Sequence, residues 1–154
     1  MKRFNLHTGP LARDDDDPDG YHGEYARLGP AIGAARMAGT LYVLPPGESN
    51  CPYHYESDEE WLIVLEGRAT VRHPEGEEEL EAGDVVCFPA GPAGAHKITN
   101  RGEEPMRMLV VSTRDMPGIA VYPDSDKIGV FTEDGRDDIM VRRESGVDYW
   151  DRET

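Results

Sequence analysis

Long apolar runs are missing from this chain. No stretch approaches the roughly 18 consecutive apolar residues of a membrane span, and Met1-Lys2-Arg3 leads into no apolar segment of the signal-peptide kind. Cysteine is nearly absent: Cys51 and Cys87 are too few for a disulfide scaffold and read as reduced thiols in a cytoplasmic protein. Positive charge is scarce as well. Sixteen Lys and Arg face 31 Asp and Glu, which leaves a formal net charge of −15 at pH 7. A surface of that sign repels phosphate backbones and anionic lipid, so neither nucleic acid nor membrane is an expected partner. A helical apolar period of useful length is also lacking, which argues against a helix bundle.

Glycine and proline, by contrast, are plentiful. Seventeen glycines and 12 prolines without a repeat imply many tight turns. The 154 residues suffice for one domain that buries about 70% of its unfolded surface. After Pro45-Pro46-Gly47 the turn signals come at short spacing: Ser57-Asp58, Gly67, Pro74-Glu75-Gly76, Ala82-Gly83-Asp84, the loop 89–94, and Asn100-Arg101-Gly102. Between them lie short runs rich in Val, Ile, Leu, Thr and aromatics at 60–65, 68–73, 77–80, 85–88, 96–99 and 106–112, preceded by a strand-like stretch at 36–44. Weaker candidates for edge strands follow at 119–122, 128–131 and 139–141. This pattern predicts an all-β antiparallel sandwich or barrel.

The flanks are less regular. Residues 1–34 read as an irregular N-terminal arm packed on a barrel of residues 35–122, and residues 123–154 as a C-terminal extension pinned by Tyr149-Trp150. The aspartates at 14–17, followed by Pro18-Asp19-Gly20, read as a solvated loop without the alternating spacing of a calcium loop. His7, His22 and His73 have no ligand partner at a useful spacing and read as surface or hydrogen-bonded histidines.

Chemistry is concentrated in residues 45–67. His54, Glu56, Glu59 and Glu60 precede the apolar run Trp61-Leu62-Ile63-Val64-Leu65. Ionisable groups beside a core-forming strand are costly to bury unless something compensates them, and a bound cation does so. Alternate strand residues share a face, so His54 and Glu56 project together. Glu60 has the same parity, but six extended residues span about 20 Å. A shared site therefore requires the chain to reverse near Ser57-Asp58. His96 opens a later strand after the glycine- and proline-rich loop, and alone it reads as structural. Cys51 is a plain thiol or, if it faces the site, an extra ligand or redox-sensitive group. Glu59 is a solvated carboxylate or a catalytic base beside a metal.

Together these stretches resemble the two motifs of the cupin superfamily. The first runs from Gly47 through His54 to Glu60 and Gly67, with one extra residue after the glycine. Gly83, Pro89, Gly91, His96 and Asn100 make up the second, with two extra residues before the histidine. The resemblance covers about residues 36–113 and implies a double-stranded β-helix (jelly-roll) barrel that forms homodimers. It also implies that His54, Glu60 and His96 are metal ligands. Glu56 stands where the family's second histidine usually sits. If Glu56 also binds, the set holds two imidazoles and two carboxylates; if it swings away, a two-histidine, one-carboxylate face remains. Manganese, iron(II) and zinc suit such ligands better than copper on softness, while intrinsic affinity rises toward nickel and copper. The implied activity is that of a divalent-metal-dependent oxygenase, isomerase or lyase acting on a small organic substrate in the barrel. Alternatives are a non-catalytic small-molecule-binding or sensing module, and a metal-free site with its glutamates solvated at the barrel mouth.

Overall fold

The computed structural model describes residues 1–153, so Thr154, the last residue of the expected C-terminal extension, lies outside it. In chain order the strands are β1 (Ala12–Arg13), β2 (Glu24–Arg27), β3 (Met37–Leu44), β4 (Tyr55–Glu56), β5 (Glu60–Glu66), β6 (Arg68–His73) and β7 (Gly76–Glu81). They continue with β8 (Val85–Phe88), β9 (Lys97–Thr99), β10 (Met106–Thr113), β11 (Gly118–Tyr122), β12 (Lys127–Phe131) and β13 (Ile139–Arg142). A five-residue helix, α1 (Leu28–Ile32), follows β2 and ends at Gly33, whose φ of 80° is the left-handed cap conformation glycine adopts freely.

Three antiparallel sheets make the architecture. The largest has the order β1-β2-β3-β10-β5-β8, the second β13-β12-β11-β4, and the third β7-β6-β9. Alternation along the strands decides what faces inward. On β5, Glu60, Leu62 and Val64 are buried while Trp61 is half exposed. On β10, Met106, Met108 and Val110 are buried. Of these, Leu62, Val64, Met106, Met108 and Val110 meet Ala69, Val71, Leu80 and Ile98 of the three-stranded sheet in one apolar core, each large side chain contributing about 1.5–3 kcal/mol by leaving water.

The arm does more than pack on the barrel. Strand β2 pairs along β3, and Phe4, Leu6 and Leu11 pack with Ala26, Leu28 and Leu41 against Leu65 and Leu109 on the outer face of the large sheet. That second layer accounts for the apolar residues on both faces of β10. The segment 1–34 shows no strand-like alternation because its strands are only two and four residues long.

Turns hold the motif residues in place. Asn100 is fully buried, donates from its amide to the carbonyls of Leu44 (2.8 Å) and Glu104 (2.9 Å), and accepts from the Gly102 N–H. The last residue of the second motif is thus a staple between β9 and β10. Asp58 does the same before β5, accepting from the Thr113 hydroxyl (2.6 Å) and the Asp115 N–H (3.0 Å).

Candidate metal centre

The reversal required near Ser57-Asp58 is present: β4 pairs with β11 in one sheet, and β5 begins four residues after Glu56 in another. Glu60 is thereby turned back into the barrel. His54 and His96 are brought together directly by their backbones. The His54 N–H donates to the His96 carbonyl (3.0 Å) and the His96 N–H to the His54 carbonyl (2.8 Å). The rings lie 4.7 Å apart between centroids, and a ligand atom from each of His54, Glu60 and His96 lies within 4.8 Å of the others.

Both histidines are oriented for coordination. His54 Nδ1 is 2.8 Å from the Pro52 carbonyl and His96 Nδ1 is 2.9 Å from the Gly94 carbonyl. A carbonyl only accepts, so Nδ1 carries a proton in each ring, and in the neutral imidazole that a metal requires Nε2 keeps its lone pair. Those two Nε2 atoms face carboxylates, at 3.6 Å from Glu56 for His54 and 3.5 Å from Glu60 for His96. Stacking fixes the ring planes: Phe88 lies on His96 at 3.7 Å and 9°, and Tyr122 on His54 at 5.8 Å and 23°.

Electrostatics point the same way. Burial, reinforced by Glu56 and Asp58, pushes the Glu60 carboxyl up to about 7, against a smaller pull from His54. Burial and the neighbouring His54 bring His96 down to about 4. For His54, burial acts to lower the value, but the Glu56 contact, the Pro52 carbonyl and the Glu60 charge outweigh it and the net direction is upward. A buried carboxylate held among repelling acids beside two bare imidazole nitrogens fits a divalent cation, whose charge reverses the penalty. His54, Glu60 and His96 are the residues that would hold the ion, with Glu56 at the edge of the set.

Glu59 does not join them. One residue out of phase with Glu60, it is exposed on the outer surface and accepts a hydrogen bond from the Trp61 indole (3.1 Å). A base role beside the metal is thereby corrected: the strand alternation that turns Glu60 inward turns Glu59 outward.

The cluster opens on a cavity of about 210 Å³ whose wall includes Thr40, Tyr42, Asn50 and Cys51. Cys51 faces this cavity; burial, then the charges of Glu60 and Glu56, push its thiol up to about 12, and it shares a hydrogen bond with Tyr42. Tyr42, Phe88 and Tyr122 carry no spacing signal of their own. Phe88 lies opposite Glu60 in the β5–β8 register, and Tyr42 shares the inward parity of Leu44.

Comparisons with known proteins agree with this geometry. A family model described as a Cupin domain matches residues 40–112. A crystal structure from Silicibacter pomeroyi, described as a sugar phosphate isomerase from a cupin superfamily, is 27% identical, covers 97% of this chain and 98% of its own, and superposes with a TM-score of 0.81. A structure from Acidithiobacillus ferrooxidans, described as a proposed sugar phosphate isomerase, is 28% identical over 84% of this chain and 81% of its own, with a TM-score of 0.75. An uncharacterized protein of Methanocaldococcus jannaschii is 27% identical over 112 residues, 73% of this chain and 79% of its own. The jelly-roll strand order, the two histidines joined across the barrel and these matches lead to one assignment: the chain has the cupin fold, with a cupin domain matched over residues 40–112.

Proposed function

We propose that this chain is a divalent-metal-dependent enzyme that isomerises a small, oxygen-rich organic substrate in the barrel cavity. The observation that carries the reading is the pair of Nε2 lone pairs, each made available by a backbone carbonyl on the opposite ring nitrogen, converging on buried Glu60. Manganese, iron(II), zinc or nickel would be held by His54, Glu60 and His96 and would act as a Lewis acid on a substrate oxygen. Glu56, half-buried in the cavity wall beside His54, is the carboxylate in reach to accept and return a proton. Two structural neighbours described as sugar phosphate isomerases favour isomerisation over oxygenase or lyase chemistry. Homodimers in a reducing cytoplasm complete the reading; Met37, Trp61 and Val85, exposed apolar residues of the large sheet, are the surface a second copy would cover.

Elemental analysis tests the metal. Purified protein is expected to carry close to one first-row divalent ion per chain, and His54→Ala and His96→Ala are expected to lose it, with affinity reduced by more than about 100-fold. Failure to take up manganese, iron, nickel or zinc would overturn the reading.

A second reading is a metal-free, non-catalytic binding module. Its support is the 3.5 Å approach of Glu60 to His96 Nε2, because a protonated Glu60 can donate there and satisfy both groups without an ion. Ligand-induced thermal stabilisation of metal-free protein, without turnover, would favour it.

A further inference from the structure

Two further recesses share walls with the metal cavity. Thr40, Tyr42 and Asn50 also line an outer recess of about 220 Å³, whose wall includes Asp14, Asp17, Tyr21, Tyr25 and Arg27. Ala38, Glu56 and Ser112 also line another recess on a different side, and Arg27 lines that one too. Arg27 is thus a wall residue of both recesses that adjoin the metal cavity.

Strand register puts it there. Along the β2–β3 pair Tyr25 lies opposite Tyr42 and Arg27 opposite Thr40. Opposed residues of an antiparallel pair share a face, and Thr40 and Tyr42 line the metal cavity. Ala26, between Tyr25 and Arg27, packs the other way, into the apolar layer with Leu28 and Leu41. The alternation that buries Ala26 thus holds Arg27 on the cavity side.

Its charge is not neutralised locally. Most other arginines meet carboxylates, among them Arg68 with Glu79, Arg72 with Asp124, Arg101 with Glu77 and Arg114 with Glu133, whereas among the described residues Arg27, like Arg3, Arg36 and Arg142, does not. Arg27 makes no ion pair within 4.0 Å among the described residues; its guanidinium lies 5.9 Å from the centroid of the Tyr25 ring. Around it, the carboxylates of Asp14 and Asp17, the phenols of Tyr21 and Tyr25 and the amide of Asn50 are partners for hydroxyl groups. Asp14 also accepts the Asp16 N–H, so its second oxygen is the one open to a ligand. An exposed, unpaired planar cation beside several hydroxyl-binding groups suits a molecule with an anionic end and a hydroxylated body.

We propose that Arg27 anchors the anionic end of a polyhydroxylated substrate, a sugar phosphate or a sugar acid, whose hydroxyls meet the Asp14, Asp17 and tyrosine wall while its reacting end lies at the metal centre. This rests on the enzymatic reading above and adds the substrate class and the residue that selects it.

The test uses the full chain incubated with manganese or zinc, as wild type, Arg27→Gln and Arg27→Lys, with metal content measured separately by elemental analysis. Fructose 6-phosphate, gluconate and fructose are titrated calorimetrically. Wild type is expected to bind one of the two anions at least tenfold more tightly than fructose, and which anion binds separates phosphate from carboxylate. Arg27→Gln is expected to weaken the anion by roughly 10- to 100-fold while fructose affinity and metal content stay the same, and Arg27→Lys to restore part of the loss. Equal anion binding by wild type and Arg27→Gln, or no preference of wild type for either anion over fructose, would overturn it. A metal-loaded chain indifferent to the anion defeats this proposal alone. A chain that takes up no metal yet keeps the Arg27-dependent preference defeats the enzymatic reading alone.

Discussion

At Glu60 the barrel places a carboxylate where its charged form is disfavoured. Burial and the nearby acids raise its value from 4.5 to about 7, so without a metal this group stabilises the fold fully below about pH 4.5 and loses that contribution as the pH rises through 7. His96, brought down to about 4 from 6.5, works in the opposite sense and loses stability as the pH falls through that window. The two slopes oppose each other, so wild-type stability alone hides both. Comparison with Glu60→Gln isolates the carboxylate. In chelator, the variant is expected to be the more stable protein at pH 8, by about 2–3 kcal/mol, with the difference shrinking to near zero at pH 4.5; urea denaturation at the two pH values checks it. The same variant should lose metal. For wild type, affinity should fall as the pH drops below about 7, where the cation must displace a proton from Glu60 as well as compete for His54, and titrations in buffers of different ionisation enthalpy would measure that release. The resemblance to the two cupin motifs made His54, Glu60 and His96 legible in the sequence as one candidate set, and the structure brings them together. Glu59 stays open there between a solvated carboxylate and a base, because its direction depends on where the chain resumes alternation after the turn. Tyr42 and Phe88 contact the site through packing and register, which no spacing records.

Among the elements, the loop from Pro89 to Gly94 has a specific task. Gly94 supplies the carbonyl that holds His96 Nδ1, and a Cβ there would come within 1.9 Å of the Pro89 oxygen. Only glycine lets the loop fold back this tightly. Gly94→Ala is expected to cost about 3 kcal/mol in urea denaturation and to weaken metal binding as the His96 ring loses its orientation; unchanged metal affinity would break the link between loop and imidazole. The strands β3 and β5 to β10 were readable because their turn residues are closely spaced and their apolar residues alternate. The N-terminal strands were not, since Phe4, Leu6 and Leu11 contribute to a layer without any regular period. Their trace in the sequence was indirect: Leu109 and Val110, adjacent on β10, are both apolar because one faces that layer and the other the core.

For the whole molecule, a net charge of −15 leaves a folded chain that repels itself, and added salt should raise its stability by screening. Dimers are expected to be visible in static light scattering at micromolar concentration. Trp61→Glu, which puts charge into the exposed apolar surface of the large sheet, should shift them to monomers; a monomeric wild type would remove the dimer from the reading. The mutual backbone bridge between His54 and His96 carries one more consequence. A slip of one residue by either segment at that isolated bridge would turn its imidazole to the opposite face, away from its partner. Ion content then serves as a fidelity gauge for strand assembly. In a preparation with fractional loading, the empty fraction is expected to contain chains that closed out of step, and unfolding followed by slow refolding should recover it.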